Sequence, residues 1–173
     1  MSRPSRWRRS PVAVARGERV LAWAHASDGV VAGTREALYL SRDAAEVVRI
    51  PWQQVQAADW DGETAELTVS EVGTWGAPRP EHSFVIEEPG RLPELLRERV
   101  TATVLLQRHV PLDGRRGLRG VARRAPAGDR EVTWIYEFDE GVDPDDPAVR
   151  AAAEEALAQA VRDVGLVSAP PPC

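Results

Sequence analysis

The residues that could carry out chemistry are few in this sequence, and they are widely spaced. The three histidines are His25, His82 and His109, and none of them stands in a recognisable nucleophile motif. A nucleophile needs a base within hydrogen-bonding reach, and no spacing here supplies one. The patterns GxxxxGK[ST] and GxGxxG, which bind phosphates and dinucleotides, do not occur. We therefore predict that the chain is not an enzyme and that it has no catalytic and no cofactor-binding residues, with a hydrolase or transferase whose site is assembled in space as the alternative.

An acidic run precedes the last predicted helix and consists of Asp139, Glu140, Asp143, Asp145 and Asp146. Several carboxylates around one point could hold a hard cation, but the spacing does not match the calcium loop that places glycine at its sixth position. Carboxylates also favour the N-terminus of a helix. We interpret the run as a turn and a helix start, with a cation site as the alternative, and we assign no metal ligands. The single cysteine, Cys173, excludes disulfide frameworks and cysteine-based metal sites within one chain.

Charge is distributed unevenly along the C-terminal part. All 22 basic residues are arginine, which fits a GC-rich genome, with anion recognition as the functional alternative. Residues 108–130 carry seven arginines and two acids, a net charge of +5, whereas residues 131–173 carry ten acids and two arginines, a net charge of −8. Cross-strand pairing of arginine with glutamate explains this pattern structurally. A basic binding face is the alternative, and its candidate partner-binding residues are Arg115, Arg116, Arg119 and Arg123.

The elements that must position these residues begin with a meander of strands. Apolar runs alternate with turns at a short pitch from Val30 to Trp60, which is typical of antiparallel strands. Turns are predicted at Ser27-Asp28-Gly29 and at Asp61-Gly62. A helix follows from Arg91 to about Arg99. It presents one apolar stripe, made of Leu92, Leu95, Leu96 and Val100.

Two pieces of this meander carry a family resemblance. They are Thr34–Leu40 and, after a turn, Arg49–Val55, which contains Ile-Pro-Trp. This pattern resembles bacterial domains of the PH-like (pleckstrin homology-like) superfold, of an actinobacterial type, over about residues 19–101. The resemblance implies seven strands in a bent barrel with a C-terminal helix plugging one open end. It implies lipid binding only weakly, because the first hairpin loop is short and acidic, and lipid headgroup binding is not expected.

The predicted fold is therefore α+β. An antiparallel PH-like β-barrel capped by a helix is followed by a three-stranded antiparallel sheet packed on a C-terminal helix. Residues 1–17 are predicted to be a disordered basic arm, and residues 18–101 the barrel with its capping helix. Residues 102–166 form a small α+β module, and residues 167–173 a C-terminal tail.

The hairpin Leu118–Phe138 is specific enough to predict its register. The pairs expected on its helix-facing side join small or aliphatic residues to aromatic ones: Ala122 with Trp134, Gly120 with Tyr136, and Leu118 with Phe138. The pairs expected on its water-facing side are Arg123 with Thr133, Val121 with Ile135, and Arg119 with Glu137. A slip of one residue would expose the aromatic row, so we expect this register to be held strongly.

These patterns favour a binding role. No apolar run approaches the roughly 20 residues of a membrane span, and the basic N-terminus has no following apolar core like that of a secretory signal. We expect a cytoplasmic, non-enzymatic binding or scaffolding protein that acts through protein–protein contacts or self-association. The alternative is a nucleic-acid-associated protein that uses the arginine-rich arm and the hairpin 115–124.

Overall fold

The computed structural model of the chain describes residues 10–42, 46–73, 78–127 and 131–164. Within them, ten strands form three antiparallel sheets, accompanied by two α-helices, which confirms the α+β class. The strands are β1 Ala22–Ala26, β2 Gly29–Gly33, β3 Ala37–Arg42, β4 Val48–Pro51, β5 Val55–Asp61, β6 Glu66–Glu71, β7 Glu81–Val85, β8 Val104–Asp113, β9 Arg116–Arg124 and β10 Val132–Phe138. The helices are α1 Leu92–Thr103 and α2 Pro147–Val164, and a 3₁₀ turn, Trp52–Gln54, joins β4 to β5.

The first sheet has the order β1-β2-β3-β4, the second β5-β6-β7, and the third β10-β9-β8. Among the described strands, none of the first sheet forms a ladder with one of the second. A backbone hydrogen bond of 2.9 Å from Ser27 to Val85 links the ends of β1 and β7. The described strands thus form separate sheets and not one closed barrel.

The two N-terminal sheets and α1 share one hydrophobic core. Alternation along the strands and the apolar stripe of the helix predict eight buried residues, and all eight are buried: Leu38, Leu40, Ile50, Leu67, Val69, Phe84, Leu95 and Leu96. Leu95 packs on the backbone of Gly33. A Cβ atom added to Gly33 would lie 2.7 Å from Cδ2 of Leu95. A side chain at position 33 would therefore require the Leu95 side chain or the Trp52 ring to shift.

Residues 10–20 cover the other face of the first sheet. Val12 is buried and packs with Ala32, Ala37 and Tyr39. The backbone N–H of Ala15 donates to the Tyr39 hydroxyl at 3.0 Å. This differs from the disordered arm predicted for residues 1–17, because the valines of this segment find apolar surface to bury. Residues 1–9 lie outside the described residues.

Glu18 fastens this N-terminal segment to the sheet. Its carboxylate accepts a hydrogen bond of 2.6 Å from the Thr34 hydroxyl and one of 2.6 Å from Nη2 of Arg49. Arg49 Nε also donates to the Tyr39 hydroxyl at 3.1 Å. The segment is therefore held by apolar packing at one end and by a charged cluster at the other.

The third sheet has the predicted register. All six predicted pairs between β9 and β10 are present, so that prediction is confirmed. The prediction that one face of the hairpin is open to water is wrong at one end, where Val121, Arg123 and Ile135 are buried. That end lies against β5, where Arg123 reaches the backbone of Val55.

Helix α1 is longer than predicted, and the first turn of helix α2 is capped by a side chain. Helix α1 continues to Thr103, whose hydroxyl donates to the carbonyl of Val100 at 2.7 Å. The sequence Asp146-Pro147 is typical of an N-cap followed by the first helical residue. Helix α2 does begin at Pro147, and the Asp146 carboxylate accepts from the N–H of Ala148 at 2.8 Å. Neither described helix has the length and apolar character needed to cross a bilayer.

Candidate binding groove beside strand β5

A groove of about 320 Å³ runs between strand β5 and helix α1. Its strand wall consists of five consecutive residues, 56–60. Because successive strand residues point to opposite faces, a consecutive run lines a groove only when the groove follows the edge of the strand. Strand β5 is the edge of the second sheet and pairs only with β6 among the described strands. Its outer backbone groups are therefore available to the groove.

Small side chains open this space. Ala57 and Ala58 lie in the middle of the strand wall, and Ala58 packs against the main core together with Trp60. The indole nitrogen of Trp60 donates to the carbonyl of Ile86 at 3.4 Å, which fixes its ring at one end of the wall. A volume of about 320 Å³ lies at the small end of ligand sites, with room for a few side chains of a partner.

The helix wall is one stripe of α1. Pro93, Arg97, Val100 and Thr101 line the groove at the spacing of neighbours on a helix surface. Arg97 is exposed and Val100 is half-buried. Asp59, on the strand wall, is exposed as well. The groove thus has an apolar lip, formed by Val100, and its two walls carry opposite charges, Asp59 on the strand and Arg97 on the helix.

Arg123 lies at the Gln56 end of the groove. Its Nη1 atom donates to the carbonyl of Val55 at 2.9 Å, and its Nη2 atom donates to the carbonyl of Gln56 at 2.8 Å. Consecutive carbonyls of a regular strand point to opposite edges, but the pairing register of β5 shifts between Val55 and Ala57, so both reach one guanidinium. Arg123 is 6 % exposed. The placement of Arg123 on the surface is therefore wrong, because the side chain is buried and its Nη1 and Nη2 atoms donate to groups inside the protein.

The electrostatics of Arg123 follow from this burial. Loss of solvent lowers the pKa of its guanidinium below the ordinary value, and the Glu137 carboxylate acts in the opposite direction. Glu137 in turn accepts a hydrogen bond from the side-chain amide of Gln56. A polar cluster from β5, β9 and β10 therefore joins the second sheet to the third.

The other three arginines predicted to bind a partner lie on the surface. Arg115, Arg116 and Arg119 are exposed at the hairpin between β8 and β9. Asp139 lies nearby, and its carboxylate accepts from Nε2 of His109 and from the N–H of Gly117, each at 2.8 Å. The bond with His109, followed by the one with Gly117, holds the pKa of Asp139 below its ordinary value, and the charge of Arg119 adds to this effect. Acidic groups thus balance part of the arginine charge.

The acidic run behaves as a turn and a helix start. The Asp143 carboxylate accepts from the N–H of Asp145 at 2.9 Å, and Asp146 caps α2. In the part of the chain that the structure describes, no group of three or more histidine, cysteine, aspartate or glutamate side chains is arranged to hold a metal ion. These contacts support the structural interpretation of the run.

Sequence analysis missed the groove, although two signals for it are present. Ala57-Ala58 is a pair of small residues inside a strand. Val100 belongs to the predicted apolar stripe of α1 but lies at the groove and is only half-buried.

Comparison of the chain with protein-family models and with curated proteins finds no match.

Proposed function

We propose that this chain is a non-enzymatic protein-binding protein, and that the groove beside β5 takes an extended peptide segment of its partner. The observation that carries the proposal is an edge strand, without a further described partner strand, running along a groove of about 320 Å³. A peptide added to such an edge gains affinity from main-chain hydrogen bonds and specificity from side-chain pockets. The partner is another protein or a second copy of this chain, and we place the protein in the cytoplasm.

We further propose that residues 18–101 form a PH-like domain. A four-stranded and a three-stranded antiparallel sheet are followed by α1. The helix places Leu92 and Leu96 in the core that both sheets share. This arrangement supports the assignment, although the described strands do not close into one barrel. In the first hairpin loop, Asp28 is paired with Arg42, which agrees with a protein partner and not with a lipid headgroup.

The groove limits the peptide that fits it. Arg123 occupies the carbonyls of Val55 and Gln56, so a partner strand can pair with residues 57–61, a length of roughly 16 Å. Arg97 is exposed on the opposite wall and favours an acidic residue in the peptide. Val100, half-buried at the lip, favours an apolar one.

Selection from a phage-displayed library of random dodecapeptides on the full chain tests this proposal. Val100→Glu should weaken binding of the selected peptide by about tenfold or more, because it places a charge at the apolar lip. Arg91→Glu is the matched control, since Arg91 is exposed and lies outside the groove lining. N-methylation of alternate peptide amides should also weaken binding if the peptide pairs with the strand edge. Binding that survives both changes would exclude the groove.

The exposure of Arg115, Arg116 and Arg119 favours one second function, contact with nucleic acid. Phosphate contacts release counterions, so the logarithm of the affinity falls with the logarithm of salt concentration by about 0.9 per contact. Replacing all three arginines by glutamine should flatten this dependence on DNA or RNA. Retention that is insensitive to salt in the native chain would exclude this second function.

A further inference from the structure

Arg123 contacts both elements that form the groove, strand β5 and helix α1. Its Nη1 atom donates to the carbonyl of Val55 in β5 and also to Oγ1 of Thr103, the last residue of α1, each at 2.9 Å. Its Nη2 atom donates to the carbonyl of Gln56 at 2.8 Å. One guanidinium from the third sheet therefore bridges the two elements whose separation defines the groove.

The bridge has a fixed geometry. The planar guanidinium presents its donors in a rigid fork, so it fixes the relative directions of its acceptors on the two walls. Thr103 also donates to the carbonyl of Val100 at 2.7 Å, and Val100 itself lines the groove. A displacement of Arg123 would therefore shift the last turn of α1 relative to β5.

The third sheet holds this arginine in place. Helix α1 passes directly into β8, and Val104, the residue after Thr103, is opposite Arg123 in the ladder between β8 and β9. The ladder thus fixes the end of the helix, and the side chain of Arg123 transmits that position to β5.

We infer that Arg123 is a positioning residue for the groove, through which the third sheet sets the separation of β5 and α1 and so the affinity for a peptide. The peptide part of this inference rests on the proposed function, whereas the separation of the walls is a property of the free protein. Coupling between two sites is reciprocal. A peptide bound in the groove therefore stabilises the third sheet, and loosening that sheet weakens peptide binding.

Spin labels on the two walls test the separation without any ligand. Asp59→Cys and Arg97→Cys place labels at exposed positions of the full chain, with Cys173→Ser to remove the native thiol. Thr103→Val removes the acceptor on α1 and leaves the bonds of Arg123 to β5 in place. Arg123→Lys keeps the charge and removes the fork. Both variants should broaden the distribution of label-to-label distances.

Thr68→Val is the matched control, because Thr68 is a half-buried threonine of β6 outside the groove lining. It should leave the distance distribution unchanged. A distribution that stays narrow in both Thr103→Val and Arg123→Lys would overturn the inference.

Peptide affinity, measured with unlabelled variants, tests the coupling. The probe is the dodecapeptide selected on the native chain, at a temperature where circular dichroism shows every variant folded. Thr103→Val and Arg123→Lys should each weaken its binding by about tenfold, within the range of typical couplings. Broadened distances with unchanged affinity would overturn the coupling. Broadened distances in a chain that selects no peptide would support the positioning role and refute the proposed function instead.

Discussion

The indole nitrogen of Trp52 donates to the carbonyl oxygen of Thr34 at 3.1 Å, and both residues are fully buried. Thr34 lies in the turn between β2 and β3, where its hydroxyl accepts from the N–H groups of Glu36 and Ala37 at 3.1 and 3.0 Å. The bond joins the two pieces of sequence that carry the PH-like resemblance. The spacing of these two pieces therefore has a structural cause, and this spacing does not indicate a ligand.

Trp52→Phe removes the donor of this bond and leaves the carbonyl of Thr34 buried without it. An unsatisfied buried polar group costs about 1–3 kcal/mol, so we expect a loss of this size in the free energy of unfolding, measured with urea. Trp60→Phe is the control, because its bond to Ile86 is longer, 3.4 Å, and the ring is only half-buried. An equal loss in both variants would show that ring volume, and not the hydrogen bond, dominates.

Leu95→Ala should lower the free energy of unfolding by about 2–5 kcal/mol, because it leaves a cavity between α1 and the first sheet. Leu95 is buried where the helix meets Gly33. The control on the same helix is Glu94→Ala, since the Glu94 side chain is 73 % exposed. Unchanged urea unfolding of Leu95→Ala would contradict the packing of α1 on the sheet.

Arg123→Ala should also destabilise the protein, in contrast to the small effect that an exposed arginine would give. Removing the guanidinium takes hydrogen bonds from three acceptors, and a hydrogen bond to a charged group is worth about 1.5–3 kcal/mol. Arg119→Ala, on the same face of β9 but exposed, should change the midpoint of urea unfolding little. Matching midpoints for the two variants would count against the buried bridge.

The attachment of residues 10–20 should depend on pH through Glu18. Burial raises the pKa of this carboxyl, but hydrogen bonds from Thr34, Arg49 and Tyr39 lower it more, and the result lies below the ordinary value of 4.5. Since the folded pKa is depressed, the stabilisation is present above the unfolded-state pKa and is lost as the pH falls through the folded pKa.

Glu18→Gln tests this dependence, because glutamine keeps an acceptor but cannot ionise. The stability difference between native protein and variant should be largest near neutral pH and shrink below pH 4.5. The protection of the backbone amides of residues 10–20, expressed relative to the intrinsic exchange rate at each pH, should fall over the same range in the native protein. A difference that does not vary with pH would show that the charge of Glu18 contributes nothing.

Elements whose partners are close in sequence could be predicted, and Trp134 is an example. Its strand follows β9 after a short loop, and the alternation of small and aromatic residues permits one register, which the ladder from Leu118 to Phe138 confirms. The buried set of the two N-terminal sheets follows from alternation in the same way.

The environment of Arg123 could not be predicted, because its acceptor in Val55 lies 68 positions earlier in the chain. An isolated hairpin would expose this side chain, and only docking against β5 buries it. The groove has a similar origin, since it depends on how far α1 stands from Ala57 and Ala58 and not on any motif. A shifted register inside β5 adds to the difficulty, because alternation alone assigns Gln56 to the wrong environment.

Helix α1 ends at Thr103 and strand β8 begins at Val104, so no linker separates this helix from the third sheet. Domain boundaries usually lie in linkers that few contacts cross, whereas here Arg123 contacts Thr103 and pairs with Val104 across the junction. A recombination event at this point would have to preserve the helix end, the first residues of β8 and Arg123 together. The parts of the chain on either side of this junction are therefore expected to be inherited as one unit, with substitutions at Thr103 and Arg123 occurring together.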